Sequence, residues 1–124
     1  MRLLLDSHVV LWWLTGDRGL SEETRALISD EPDVFVSTAS VWELGMKQES
    51  GKLVGPDRLP EVIMGAGFRA LPITPDHAIK AVRLPMLHRD PFDRVLIAQA
   101  LIEDLTLVSK DTYIKQYDVP ILLP

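Results

Sequence analysis

The stretch HRDPFDRVLIAQALIEDLTLVSKD, residues 88–111, decides the fold. Asp90-Pro91-Phe92-Asp93 reads as a helix start. Asp90 suits the N-cap, Pro91 the first helical position, and Asp93 falls in the first turn. From Val95 to Ile102 every residue but Gln99 is apolar, so the spacing predicts a helix buried on most of its surface. Thr106-Leu107-Val108-Ser109 follows as a short strand and delivers Lys110-Asp111 at its C-terminal end. Two carboxylates, Asp93 and Asp111, thereby stand at the edges of a rigid helix and a rigid strand, where open α/β sheets place their active sites.

Working outward, the remaining segments alternate in the same way. Arg2-Leu3-Leu4-Leu5 is an apolar run read as a fully buried strand, with Asp6 at its end. Asp6 or Ser7 caps a short helix from His8 to Leu14. Ser21-Glu22-Glu23 opens a second helix that runs to about Ser29 and stops before Pro32. Val34-Phe35-Val36 is the second strand, and Ser37 or Thr38 caps a third helix through about Ser50, which Gly51 ends. Residues 59–67 are weakly helical, with Gly65 and Gly67 against it. Ala70-Leu71-Pro72-Ile73 is a third strand whose proline suits a sheet edge. Thr74-Pro75-Asp76 begins another helix, Leu84 to Arg89 is a loop, and Val119 to Leu122 is a last short strand. Alternating strands and helices imply a layered α/β fold with a central, mainly parallel sheet of four to five short strands in a single domain, 1–124.

Composition narrows the classes. The chain has 124 residues, enough for a core without metal or disulfide staples, and it has no cysteine, which excludes disulfides and thiolate metal sites. Asp6 and His8 break the apolar start, so it does not read as a signal peptide, and no run approaches a membrane span. The expectation is a cytoplasmic protein. A net charge of −5 argues against gripping duplex nucleic acid by bulk electrostatics, while leaving room for a local basic patch.

Two more acids belong with the first pair. Asp6 ends the first strand and so shares a sheet edge with Asp111. Glu43 lies about one and a half turns into the helix after the second strand, within reach of that edge. Four acids packed together repel one another and lose hydration, which calls for a cation. Ligation by oxygen alone points to Mg²⁺ or Mn²⁺, and such a site supports hydrolysis of phosphodiesters. Each acid also has a purely structural reading. Asp6 could cap the helix behind it, and Asp93 could complete a capping box with Asp90. Glu43 could pair with Lys47, and Asp111 could cap the turn at Thr112-Tyr113. Only their joint placement favours function. His8, His77 and His88 form no i,i+4 pair, which argues against zinc.

LLLDSHVVLWWL, STASVWELGMKQESGKL, DPFDRVLIAQA and LVSKD, in this order and spacing, resemble the PIN-domain family, in particular the VapC-type toxins of type II toxin–antitoxin systems. The resemblance spans nearly the whole chain. It implies a three-layer α/β/α sandwich and a metal-dependent endoribonuclease whose acidic quartet carries over to Asp6, Glu43, Asp93 and Asp111. Asp6 and Asp93 would hold the Mg²⁺ or Mn²⁺ most directly. Asp90 reads as a structural N-cap, and Ser7, Ser40 and Ser109 lie beside the quartet. The resemblance also implies an RNA substrate, a homodimer and a cognate VapB-type antitoxin that covers apolar grooves near the site.

Other classes fit less well. A receiver-like signalling domain would need paired acids after the first strand and an aspartate after the third, where Asp6-Ser7 and Ile73-Thr74 stand. A D-x-D phosphatase would need an acid at His8. A PIN fold that only binds RNA or protein is the remaining alternative. For RNA, the basic residues Lys80, Arg83, Arg89 and Arg94 lead into the site, and Arg89, Arg94 and Lys110 are the candidate contacts. Val9 to Leu14 is apolar right round a short helix, so at least one of Trp12 and Trp13 should lie near the surface and meet an antitoxin or a second subunit.

Overall fold

The structure, a computed structural model, describes residues 1–124. Five strands, β1 (Leu3–Leu5), β2 (Val34–Ser37), β3 (Arg69–Leu71), β4 (Thr106–Val108) and β5 (Ile121–Leu122), form one sheet in the order β3-β2-β1-β4-β5. Every neighbouring pair is parallel. The helices are α1 (Ser7–Thr15), α2 (Glu22–Asp30), α3 (Thr38–Glu49), α4 (Leu59–Gly65), α5 (Pro75–Arg83) and α6 (Pro91–Glu103).

β1 sits at the centre, and its three leucines are fully buried. Because side chains alternate across a strand, Leu3 and Leu5 join one core and Leu4 the other. The first core takes Val9 and Val10 of α1, Ile28 of α2, Leu44 of α3 and Ile63 of α4. The second takes Leu96, Ile97 and Ala100 of α6 with Ile114 and Tyr117. The result is the expected three-layer α/β/α sandwich, with a wholly parallel sheet.

Local signals explain most boundaries. Ser21, Ser37, Thr74 and Asp90 each accept a backbone N–H at a helix start. Asp6 does so for α1, and Gly16 ends that helix in the left-handed conformation, φ 71°. The weakly helical stretch forms α4 but stops at Gly65. Two strands are shorter than their apolar runs. β3 is an edge strand, as its proline suggested, and it ends at Leu71 because Pro72 has no N–H for the ladder. β5 is limited to Ile121–Leu122, since Pro120 offers only its carbonyl, to Leu107.

Candidate active site

The sheet order fixes where a site can form. From β1 the chain steps outward to β2 and β3, then returns to place β4 and β5 on the other side of β1. The reversal puts a crevice beyond the carboxyl ends of β1 and β4. Leu5 and Val108 are in register there, so Asp6 and Ser109 emerge side by side, and the Asp6 amide donates to the Val108 carbonyl. The N-terminus of α6 brings Asp93 to the same region.

Asp6 is buried, and its Oδ1 accepts the Val9 amide at 3.0 Å. Burial pushes its carboxyl above the usual range, opposed by hydrogen bonds from Ser109 and from the α1 backbone. The next residue, Ser7, donates its hydroxyl to Glu43 Oε1, which ties α1 to α3. Glu43 Oε2 lies 3.6 Å from Lys47 Nζ, so the i,i+4 pair expected of a plain helix surface is present as well. Asp111 likewise plays both parts. Its Oδ1 accepts the Tyr113 amide at 2.7 Å, while its Oδ2 lies 3.5 Å from His88 Nε2.

Asp93 does not reach back to cap its helix. Asp90 alone does that, accepting the Phe92 and Asp93 amides on Oδ1. Asp93 Oδ2 instead accepts from His88 Nε2 at 2.8 Å. Burial pushes the Asp93 carboxyl up to about 7, helped by the negative charges of Asp90 and Asp111 and opposed by His88. His88, Asp93 and Asp111 each offer one ligand atom, and the three atoms lie within 4.8 Å of one another.

The quartet is thus brought together unevenly. Asp93 and Asp111 converge through His88, Asp6 shares a cleft with Asp111, and Glu43 is linked to this edge through Ser7. His88 had no signal in the sequence, since it stands five residues before Asp93 in a loop, outside any helical ligand spacing. Arg94 corrects the sequence-based expectation of an RNA contact. Its side chain is buried, and the guanidinium donates to the carbonyls of Ala81, Val82, Leu84, Pro85 and His88. It closes the end of α5 and holds the 84–88 loop, so both terminal nitrogens are spent on the protein's own backbone. Arg89 and Lys110 are exposed. Trp12 and Trp13 are both half-buried: Trp13 packs on Phe68 and under Arg25, and Trp12 lies beneath the Lys110 ammonium.

The donor set fits a hard divalent cation. It is built mainly of carboxylate oxygens, with the His88 imidazole departing from the oxygen-only set expected from the sequence. Burial together with Asp90 and Asp111 holds the Asp93 carboxyl near 7, where a cation would relieve it. The Ser40 hydroxyl, one turn before Glu43 on the same face of α3, is buried without a hydrogen-bond partner.

With this geometry in place, the comparisons with known proteins agree on one family. Residues 3–120 match the PIN domain family. The chain is 32% identical over 121 residues to Ribonuclease VapC22 of Mycobacterium tuberculosis, covering 95% of this chain and 93% of that protein. Its fold is similar to that of VapBC2 from Rickettsia felis, solved bound to a DNA fragment from its promoter, with a TM-score of 0.74 at 13% identity over 99% of this chain and 98% of the other. It is also similar to a toxin–antitoxin complex from Klebsiella pneumoniae, with a TM-score of 0.70 at 18% identity over 97% and 95% of the two chains. With nearly its whole length matched, from the first strand to the last proline-bounded turn, this chain belongs to the PIN domain family.

Proposed function

We propose that the protein is an endoribonuclease dependent on Mg²⁺ or Mn²⁺ and the toxin of a toxin–antitoxin pair. The observation that carries this reading is the cluster at the sheet's switch point. There burial, with the charges of Asp90 and Asp111, pushes the Asp93 carboxyl up to about 7. Asp93 meets Asp111 across His88, and Asp111 shares a cleft with Asp6, which ends the strand beside β4. The ribonuclease name and near-full coverage of the M. tuberculosis relative support it.

Asp6 and Asp93 would hold the ion, with Asp111 and Glu43 completing the acidic set. The chemistry supplied by a divalent ion in such a site is activation of water and neutralisation of charge at the phosphate. The chain's own residues do the positioning. Asp6 is locked by the α1 amides and by Ser109, and Asp93 by His88. Glu43 is held between Ser7 and Lys47. Lys110, exposed in the cleft with Asp6 and Asp111, and Arg89, exposed on the neighbouring α5–α6 groove, would meet the RNA backbone, which confines binding to local patches on a chain of net charge −5.

The solved relatives include toxin–antitoxin complexes, which supports a cognate antitoxin for this chain. Trp12 and Trp13, half-buried on α1, would lie at that interface or at a homodimer contact. No helix is long and apolar enough to cross a membrane, in keeping with a cytoplasmic role. A receiver-like reading finds no support, since β3 ends at Leu71 and Pro72-Ile73-Thr74 follow without an acid.

The test is to incubate purified protein with total RNA, with and without Mg²⁺, and to map the cut ends. Discrete cleavage that stops with chelator is expected. Full activity in excess chelator would take the metal out of the mechanism, and no cleavage under any condition would favour a PIN fold that only binds.

A further inference from the structure

Beside the acids lies a cleft of about 330 Å³ whose lining includes Asp6, His8, Trp12, Lys110, Asp111 and Tyr113. Holding a cation requires none of the three rings, yet two of them are fixed in place. The Trp12 indole lies against Gly19, where an added Cβ would come within 2.7 Å of the ring, and the Lys110 ammonium sits 4.6 Å from the ring centroid. Tyr113 is 53% exposed but is held at both ends. Its amide donates to Asp111 Oδ1, and its ring stacks on His88 with centroids 5.1 Å apart and planes inclined by 26°. Lys110 is exposed and forms no ion pair.

An ordered, solvent-facing ring beside a cation that no carboxylate pairs matches one chemistry well. Unpaired bases stack on aromatic side chains while their phosphates meet lysine or arginine, and bases within a duplex have no free face to offer. We propose that this cleft is a nucleoside subsite for an unpaired nucleotide of single-stranded RNA next to the bond that is cut. Tyr113 is the stacking platform, Trp12 the fixed wall, and Lys110 the phosphate contact. The inference rests on the ribonuclease reading for the identity of the ligand.

The experiment measures fluorescence anisotropy of a short labelled single-stranded RNA with the full-length protein in chelator, so that binding is read apart from cleavage. Tyr113→Ala should weaken binding roughly tenfold or more, while Tyr113→Phe and Tyr113→Trp keep most of it, because the ring and not the hydroxyl carries the contact. Removing one base at a time from the RNA should reveal a single position whose loss costs the wild type a similar factor and costs Tyr113→Ala nothing further. Lys110→Ala should weaken binding at all sequences and lower the salt slope by about one. Thermal melts check that each variant is folded. Absence of single-strand binding, equal binding by Tyr113→Ala, or no base-dependent position would overturn the subsite. Equal RNA binding with a weakened grip on the antitoxin would assign the cleft to the protein partner and overturn it too. If the base-dependent pattern appears but no cleavage occurs with Mg²⁺, the subsite stands and the nuclease reading fails. Cleavage without the pattern has the opposite meaning.

Discussion

The molecule contains two histidine–carboxylate pairs wired alike and set to different ends. In both, Nδ1 accepts a backbone N–H, from Thr74 in His77 and from Asp90 in His88, and Nε2 faces a carboxylate. His77 is fully buried between α5 and α6. It closes a capping box with Thr74 and meets a single acid, Glu103, at 3.2 Å. His88 lies in a loop at the sheet edge and faces two acids, Asp93 and Asp111, with Asp90 adding a third charge to the same neighbourhood. The first pair sets one fully buried imidazole against one acid, whereas the second sets one imidazole against two acids with an opening beside it. A histidine next to an acid therefore says little by itself. The additional acids and the place at the switch point are what single out the second pair as a candidate site.

The largest expected effect would break this contrast outright. Asp93→Asn and Asp6→Asn should each lower RNA cleavage by several orders of magnitude, because water activation and charge neutralisation both depend on the ligands. Asp90→Asn should keep most activity, since asparagine is also a good N-cap and Asp90 bonds only helix amides. Initial rates with Mg²⁺ measure all three. Near-native cleavage by Asp93→Asn would reduce the edge pair to another structural one.

Arg94 offers the next effect, on stability. Arg94→Met removes the donors for a set of largely buried carbonyls at the end of α5 and should cost on the order of 3 kcal/mol in thermal or denaturant unfolding. A loss below about 0.5 kcal/mol would return Arg94 to the surface role that its sequence suggested.

The two histidines should then separate cleanly. His77→Ala should cost about 2 kcal/mol of stability, through a cavity and an unpaired Thr74 amide, with cleavage per folded molecule unchanged. His88→Ala should leave stability nearly intact and weaken Mg²⁺ binding or cleavage about 10- to 100-fold, as expected when a residue that orients ligands is removed. Calorimetric metal titration beside melts of both variants would show it. Matching profiles would mean that the edge pair is as structural as the buried one.

The sequence showed the fold more clearly than the site. Caps and apolar runs located nearly every element, because a serine, threonine or aspartate before a helix acts on amides two or three residues away. Asp6 and Asp111 could be picked out as strand-end acids, Asp93 as a first-turn helix acid and Glu43 by its place in the helix after the second strand, while their grouping as a quartet rested on the family resemblance. Two features were hidden for the same physical reason. Whether Arg94 points to solvent or under α5, and whether His88 points at Asp93, depends on how the 84–89 loop folds back onto α6, and no local periodicity records that. Glu43 and Asp111 each combine a local structural contact with one toward the candidate site. One carboxylate oxygen of each serves the local contact, to Lys47 or to Tyr113, and the other reaches Ser7 or His88.

The smallest effect sharpens the comparison through pH. In the unfolded chain Asp93 titrates near 3.8, and in the metal-free fold it is pushed up to about 7. Below 3.8 both states hold the proton, and the site contributes nothing to the pH dependence. As pH rises from 3.8 to 7, the unfolded chain releases a proton that the fold retains, so stability falls across that window, and above 7 the full cost of the buried charge is present. Asn at position 93 removes this penalty. In chelator, Asp93→Asn should match the wild type near pH 4 and exceed it at pH 8 by on the order of 2 kcal/mol, discounted for partial solvent screening. Saturating Mg²⁺ at pH 8 should reverse the order, because only the wild type keeps the full ligand set and binding stabilises the native state by mass action. Melts at four pH values with and without the ion would settle it. A variant less stable than the wild type at pH 8 in chelator would mean that the Asp93 charge is already neutralised by His88, and that the edge pair is no different from the buried one.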